Sequence, residues 1–409
     1  MAGAAATADE GLPIHPNAKW MGLIGWLAHN LAVGTTVGTL GVMASSIAER
    51  TGMEKETALL GGPLVMLGAS VVSPFAGALI ARASLRLCVL AGALAALLGF
   101  ALLVFVPSKL VYFGSCFFLF GPAMSISGSI GPATLVTRWF SRNRGLALGL
   151  VHVNLLAAAL PLGASIVLKQ YGADTVYVVL ALMVGVLLVP AALAARDYPP
   201  GVGRDAGNSA QTAAGGLTLG EIVRRPDFWC IAVAASSIIT VVMVLTFGMV
   251  TMIEGMGYSR ETGALFQTIM ALVGMAGSVL FGWVADRLGG FRGLALVAIN
   301  FAILLALLLI NLPYPALVVV IALLGLHGAG MVPNASRALA SKLGPESFSR
   351  AFGLSSFLSV FFTAVGLYGM NLSHKLLGNY SGSTIGLIML MLIAAPLALA
   401  GSRQVASRA

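Results

Sequence analysis

Long apolar stretches alternate with short polar breaks along the whole chain. Bounding each stretch by charges or by Gly/Pro clusters places segments near 20–48, 57–81, 86–106, 110–137, 145–168, 174–195, 228–253, 261–284, 292–312, 316–336, 350–373 and 382–401. The runs 87–106 and 176–195 hold 20 residues each without a charge, and in 293–310 the one strongly polar residue is Asn300. A helix needs roughly 20 apolar residues to cross a bilayer. The pattern predicts an all-α membrane protein with twelve transmembrane helices.

Composition agrees. Of 409 residues, 58% are hydrophobic and 9% are Asp, Glu, Lys or Arg, and the mean hydropathy is +0.97. Soluble domains carry about 25% charged residues, so a water-soluble body of this size is excluded. The formal charge of +9 reports topology. Of the 23 Lys and Arg, 17 fall on the side of the N-terminus (Lys19, Arg82, Arg86, Arg138, Arg142, Arg144, Arg196, Arg204, Arg224, Arg225, Arg287, Arg292, Arg337, Lys342, Arg350, Arg403, Arg408), and six (Arg50, Lys55, Lys109, Lys169, Arg260, Lys375) on the other. By the positive-inside rule the first side is cytoplasmic. The expectation is a multi-pass protein of the inner (cytoplasmic) cell membrane with both termini in the cytoplasm, and no nucleic-acid partner. No basic run precedes a short apolar core at the N-terminus, so no cleavable signal peptide is predicted. Cys88, Cys116 and Cys230 lie in apolar runs without metal-site spacing and read as packing residues. No metal and no cofactor is expected.

The stretch 196–216, RDYPPGVGRDAGNSAQTAAGG, is too polar to span and too sparse to pack, which marks a linker. Thr218 and Glu221 follow with capping-box spacing, so a short surface helix is expected there. The expected layout is a tail at 1–19, a bundle at 20–195, a linker at 196–226, a bundle at 227–402 and a tail at 403–409. The halves repeat: Gly77–Arg82 matches Gly282–Arg287 at an offset of 205, and Arg144–Ala147 matches Arg350–Gly353 at 206. Six helices plus six is a two-repeat transporter layout.

Gly282-Trp283-Val284-Ala285-Asp286-Arg287-Leu288-Gly289-Gly290-Phe291-Arg292 resembles the G-x-x-x-D-R-x-G-x-x-R loop of the major facilitator superfamily. The resemblance implies two pseudo-symmetric six-helix bundles and alternating-access transport. Physically, Gly282 permits close helix approach, and Asp286 can face the positive N-terminus of a neighbouring helix. Arg287 and Arg292 anchor the loop at the polar interface. With Arg144 these residues are expected to form a conformational latch. The first copy has Ala81 where the acid would stand, which predicts a weaker barrier to opening in that half.

Within the superfamily, Arg138–Gly149 (RWFSRNRGLALG), Arg225-Pro226-Asp227-Phe228-Trp229 and Leu343-Gly344-Pro345 resemble stretches of the monocarboxylate transporter and oxalate:formate antiporter group. That resemblance implies a small carboxylate as substrate. The carrier is expected to function as a monomer. Members usually place a basic residue in helix eight, where this chain has Ser278.

No Asp, Glu, Lys or Arg falls in the middle of a predicted span, which leaves histidine and amide as intramembrane chemistry. His29 follows Trp20 by nine residues, or ~13 Å of rise. His152 follows Arg144 by eight, or ~12 Å. His327 precedes Arg337 by ten, or ~15 Å. All three lie near the midplane, where transporter sites form. With Asn30, Asn154 and Gln267 they are the candidates for substrate binding or proton coupling. Each also has a plain reading, as a space-filling histidine or an interhelical amide bond. Gly121-Pro122, Gly131-Pro132 and Pro161 are expected kinks.

The expected mechanism brings a small organic anion to a protonated histidine. Free imidazole titrates near ~6.5, and a bound carboxylate favours the imidazolium, which would couple substrate to protons. The alternative is an exporter or carrier of a neutral, aromatic or drug-like metabolite, which the missing basic residue would suit. A sensor would need a separate partner, and an enzyme lacks any metal cluster, nucleophile elbow or phosphate loop.

Overall fold

The computed structural model describes residues 15–140, 142–200, 216–310 and 312–403. Most of the expected N-terminal tail, the middle of the linker with Arg204, and the C-terminal tail with Arg408 lie outside the described residues. Among those described, every regular element is helical. The first span, α1, is a bent pair, Ala18–Gly38 followed at 44° by Leu40–Thr51. Eleven further helices are long and apolar enough to cross a membrane. They are α2 (Thr57–Arg82), α3 (Leu85–Phe105), α4 (Lys109–Trp139), α5 (Arg144–Tyr171), α6 (Ala173–Ala194), α7 (Pro226–Gly255), α8 (Glu261–Leu288), α9 (Gly290–Leu307), α10 (Tyr314–Leu343), α11 (Pro345–Leu377) and α12 (Ser381–Ser402). The twelve expected spans are present, and charges lie toward their ends. Three boundaries move by five residues or more: α9 stops at Leu307, short of 312, α10 runs on to Leu343, past 336, and α11 starts at Pro345, ahead of 350. The early start follows from Gly344, whose φ of 78° ends the preceding helix, and from Pro345 at the first helical position, where a missing N–H costs nothing.

The bends have local causes. In α1 the hydroxyls of Thr35, Thr36 and Thr39 bond back to the carbonyls of Leu31, Ala32 and Thr35 at 2.6, 2.5 and 3.0 Å, and such back-bonding bends helices. In α4 the widened turns Cys116–Phe120 and Met124–Ile130 each run directly into a Gly-Pro pair. Proline removes a donor and crowds the turn before it, so the regular ladder of α4 is interrupted just ahead of both expected kink positions. Pro161 instead sits inside the helical stretch Leu155–Tyr171; the interruption of α5 lies upstream of it.

The chain forms two compact units. One comprises residues through Arg142 with Val151–Leu219 and Gly344–Phe357; the other comprises Asn143–Leu150, Gly220–Leu343 and the chain from Leu358. In the first unit Asp197 caps α3, accepting from the Leu85 N–H at 2.6 Å, and the Trp139 indole donates to the Arg196 carbonyl at 2.8 Å. The short helix Leu219–Val223 follows Thr218 as the capping pattern predicts. The start of α7 is held by Asp227, which accepts a two-pronged bond from Arg225 at 3.0 and 2.6 Å and one from the Phe228 N–H at 3.0 Å. A carboxylate in the first turn suits the helix dipole.

Candidate functional site

Within α5, the helical parts Arg144–Val151 and Leu155–Tyr171 are separated by His152, Val153 and Asn154. The break falls about 12 Å of helix rise beyond Arg144, at a depth where hydrocarbon offers peptide groups no water. Side chains of α1 supply the missing partners. The Asn30 carboxamide donates to the Val153 carbonyl at 2.9 Å and to its own helix at Trp26 at 3.1 Å, and its oxygen accepts from the Leu156 N–H at 2.9 Å. The Trp26 indole adds a second bond to Val153, at 3.1 Å. Trp26 and Asn30 are four residues apart and so share one helix face. Asn30 is fully buried, at 0% exposure, with both ends of its amide committed to backbone.

His29, the next residue, turns toward α4. Its Nδ1 is hydrogen-bonded to the Gly128 carbonyl. Gly128 lies in the widened turn Met124–Ile130, where the regular α-helical ladder is interrupted. The His152 ring stands 4.6 Å from that of His29, tilted by 58°, and the Asn154 side chain lies beside the same imidazole. Nε2 of His29 and Oδ1 of Asn154 are both buried without a hydrogen-bond partner among the described residues. With Nδ1 donating to Gly128, a neutral ring presents Nε2 as an acceptor; a proton there turns it into a donor facing an amide oxygen. Four of the six sequence candidates thus gather around one helix break in the first unit.

The remaining two lie in the second unit with separate partners. His327 Nδ1 bonds the Leu323 carbonyl of its own helix at 2.7 Å, and its ring is 5.1 Å from Phe281. It precedes the interruption of α10 between Gly328 and Met331. Gln267 donates to the Thr246 carbonyl of α7 at 2.9 Å. Phe247, Phe361 and Tyr368 in this unit are exposed (52%, 54% and 68%).

At the start of α5, still in the second unit, the N–H groups of Gly145 and Leu146 donate to the two Asp286 oxygens at 2.7 and 2.8 Å. Gly282 makes this approach possible, since a Cβ there would overlap the Gly145 carbonyl. One turn on, Ser278 Oγ donates to the Gly149 carbonyl at 2.7 Å. Arg144 is buried, Arg287 stacks on Trp283 at 5.0 Å, and Arg292 is exposed.

The same packing recurs in the first unit between α2 and α11. A Cβ on Gly77 would meet Ser349, one on Gly353 would meet Ser73, and Ser349 Oγ donates to the Gly77 carbonyl at 3.0 Å. These contacts pair Gly145 with Ser349 and Gly149 with Gly353, an offset of 353 − 149 = 204. The sequence match of Arg144 with Arg350 is therefore corrected by two residues.

A family model for the Major Facilitator Superfamily matches residues 26–367. The chain belongs to that superfamily. No curated relative matches the sequence. Among solved structures, a point variant of the E. coli fucose:proton symporter FucP superposes with a TM-score of 0.72 at 13% identity, over 94% of this chain and 99% of that one. FucP in the outward conformation gives 0.70 at 14%, over 94% and 98%. These likenesses carry the fold. Trp26 and Gly128 escape the sequence reading: an indole within an apolar run looks lipid-facing, although its place one turn before Asn30 was a usable signal.

Proposed function

We propose that this superfamily member is a secondary active transporter that moves a small organic acid by alternating access, with protons entering at His29. The observation that carries the reading is the imidazole pair His29–His152 at the α5 break, with Asn154 beside it and Nε2 of His29 unpartnered. A carboxylate needs a donor; a protonated Nε2 is one and a neutral Nε2 is not. Two imidazoles this close disfavour double protonation, so the pair suits one charge at a time. Asn30 and Trp26 act as positioning residues that hold the break open, and Gly282, Asp286 and Gly145 act as a latch on the start of α5. His327 and Gln267 remain secondary candidates in the second unit.

The test is uptake into liposomes holding the purified protein, using a panel of mono- and dicarboxylates. Carboxylate flux is expected to rise as the external pH falls through the imidazole range, roughly from 8 to 5. A hydrogen bond to a charged group contributes about 1.5–3 kcal/mol, so His29→Gln is expected to weaken apparent affinity about 10- to 100-fold and flatten the pH response. Flux that ignores pH and survives this substitution would refute the scheme.

One observation favours a second reading, a neutral aromatic or drug-like cargo. In the second unit a pocket of about 490 Å³ is walled mainly by Phe361, Phe362, Val365, Leu387 and Leu390, with Thr240 and Ser383 its hydroxyl-bearing residues. Saturable uptake of neutral aromatics, lost on Phe362→Ala and insensitive to His29→Gln, would select it.

A further inference from the structure

The two latch copies differ at one position, and the geometry shows what compensates. In the second unit Asp286 caps the first N–H groups of α5. Its counterpart in the first unit is Ala81, since 286 − 205 = 81. The N–H groups that an acid at 81 would face are those of Ser349 and Arg350, by the 204-residue pairing. Because α11 begins at Pro345, both lie in its second turn, where N–H groups already bond carbonyls four residues back. The extra first turn, Pro345–Ser347, removes the need for the acid and presents new groups of its own.

Glu346 and Ser347 of that turn, with Arg350 of the next, grip the described ends of the linker. Ser347 Oγ accepts from the Leu217 N–H at 2.9 Å, and Arg350 donates to the Leu217 carbonyl at 2.9 Å. At the other end of the linker, the Tyr198 hydroxyl donates to Glu346 at 3.3 Å. The Tyr198 ring lies 4.5 Å under the Arg138 guanidinium, which itself donates to the Ile80 carbonyl at the end of α2 at 3.2 Å. Burial pushes the Tyr198 phenol up, so it stays a donor. Gly216 leaves room for this seat, since a Cβ there would crowd Glu346 and Arg350.

We infer that the two ends of the linker form a clamp on the first turn of α11, doing for that helix what Asp286 does for α5. In this chain the segment joining the halves is thereby a latch as well as a tether, and it sets how readily the start of α11 leaves α2. The inference rests on the fold and is independent of the substrate.

Hydrogen–deuterium exchange on the full-length protein in lipid nanodiscs tests it. Ser347→Ala, and separately Leu217→Pro, which deletes the linker donor without touching α11, are each expected to speed amide exchange across 345–353 about five- to tenfold. Exchange across 144–150 should not change. Asp286→Asn should do the reverse, speeding 144–150 alone. Unchanged exchange at 345–353 in both Ser347→Ala and Leu217→Pro, or equal acceleration of the two segments in either, would overturn the clamp.

Discussion

At the scale of single residues, Asn30 and His29 are chain neighbours with opposite assignments, and substitution should separate them. Asn30→Ala leaves the Leu156 N–H without its partner and takes one of two bonds from the Val153 carbonyl. An unsatisfied buried group costs about 1–3 kcal/mol, so a fall in thermal-unfolding temperature of several degrees is expected together with loss of flux. Trp26→Phe removes only one bond to a carbonyl that keeps another, and should lie between Asn30→Ala and wild type. His29→Gln should unfold near the wild-type temperature while losing the pH response. Equal destabilisation by all three would deny the division of labour. Most of this cluster was legible in the chain: counting helix rise from flanking basic residues put His29, Asn30, His152 and Asn154 at mid-depth. What sequence could not supply was the role of Asn30, because an amide bound to substrate and one bound to backbone look alike until the break in α5 is seen.

At the scale of elements, the spans were readable because apolar length is a strong signal, and most boundaries shift by only a few residues. The interruptions were harder. Val151-His152-Val153-Asn154 contains neither Gly nor Pro, so nothing local marks the α5 break, which exists because α1 stabilises it. Pro161, the one punctuation residue the sequence offers in the distal part of α5, lies inside the helical stretch Leu155–Tyr171 and does not mark the break. Likewise the 206-residue match was drawn to a shared arginine, whereas packing is governed by where a helix lacks side-chain bulk. The Gly282 contact gives a direct prediction at this scale. Gly282→Val places two methyl groups where the Gly145 carbonyl now sits, so transport should be abolished with the protein still inserted in the membrane, as measured by flux against membrane abundance. Gly282→Ala should retain part of it.

At the scale of the whole molecule, the bias of basic residues toward one set of helix ends predicts sidedness. Single cysteines at either terminus, in a background with Cys88, Cys116 and Cys230 replaced, should react with an impermeant thiol reagent only from the cytoplasmic face. Labelling of one terminus from outside would break the even count of spans. The staple between α1 and α5 also restricts how the carrier can work. Drawing Asn30 away from Val153 and Leu156 would strand peptide groups in oil, at several kcal/mol each. No thermal cycle of a transporter would repeat such a rupture at every turnover. The α1 segment and the distal stretch of α5 must then travel as a single welded piece, with bending taken up elsewhere. Gly38 and Ala157 lie against each other along this seam; bridging them with a disulfide in Gly38→Cys/Ala157→Cys should leave the carrier turning over at its normal pace.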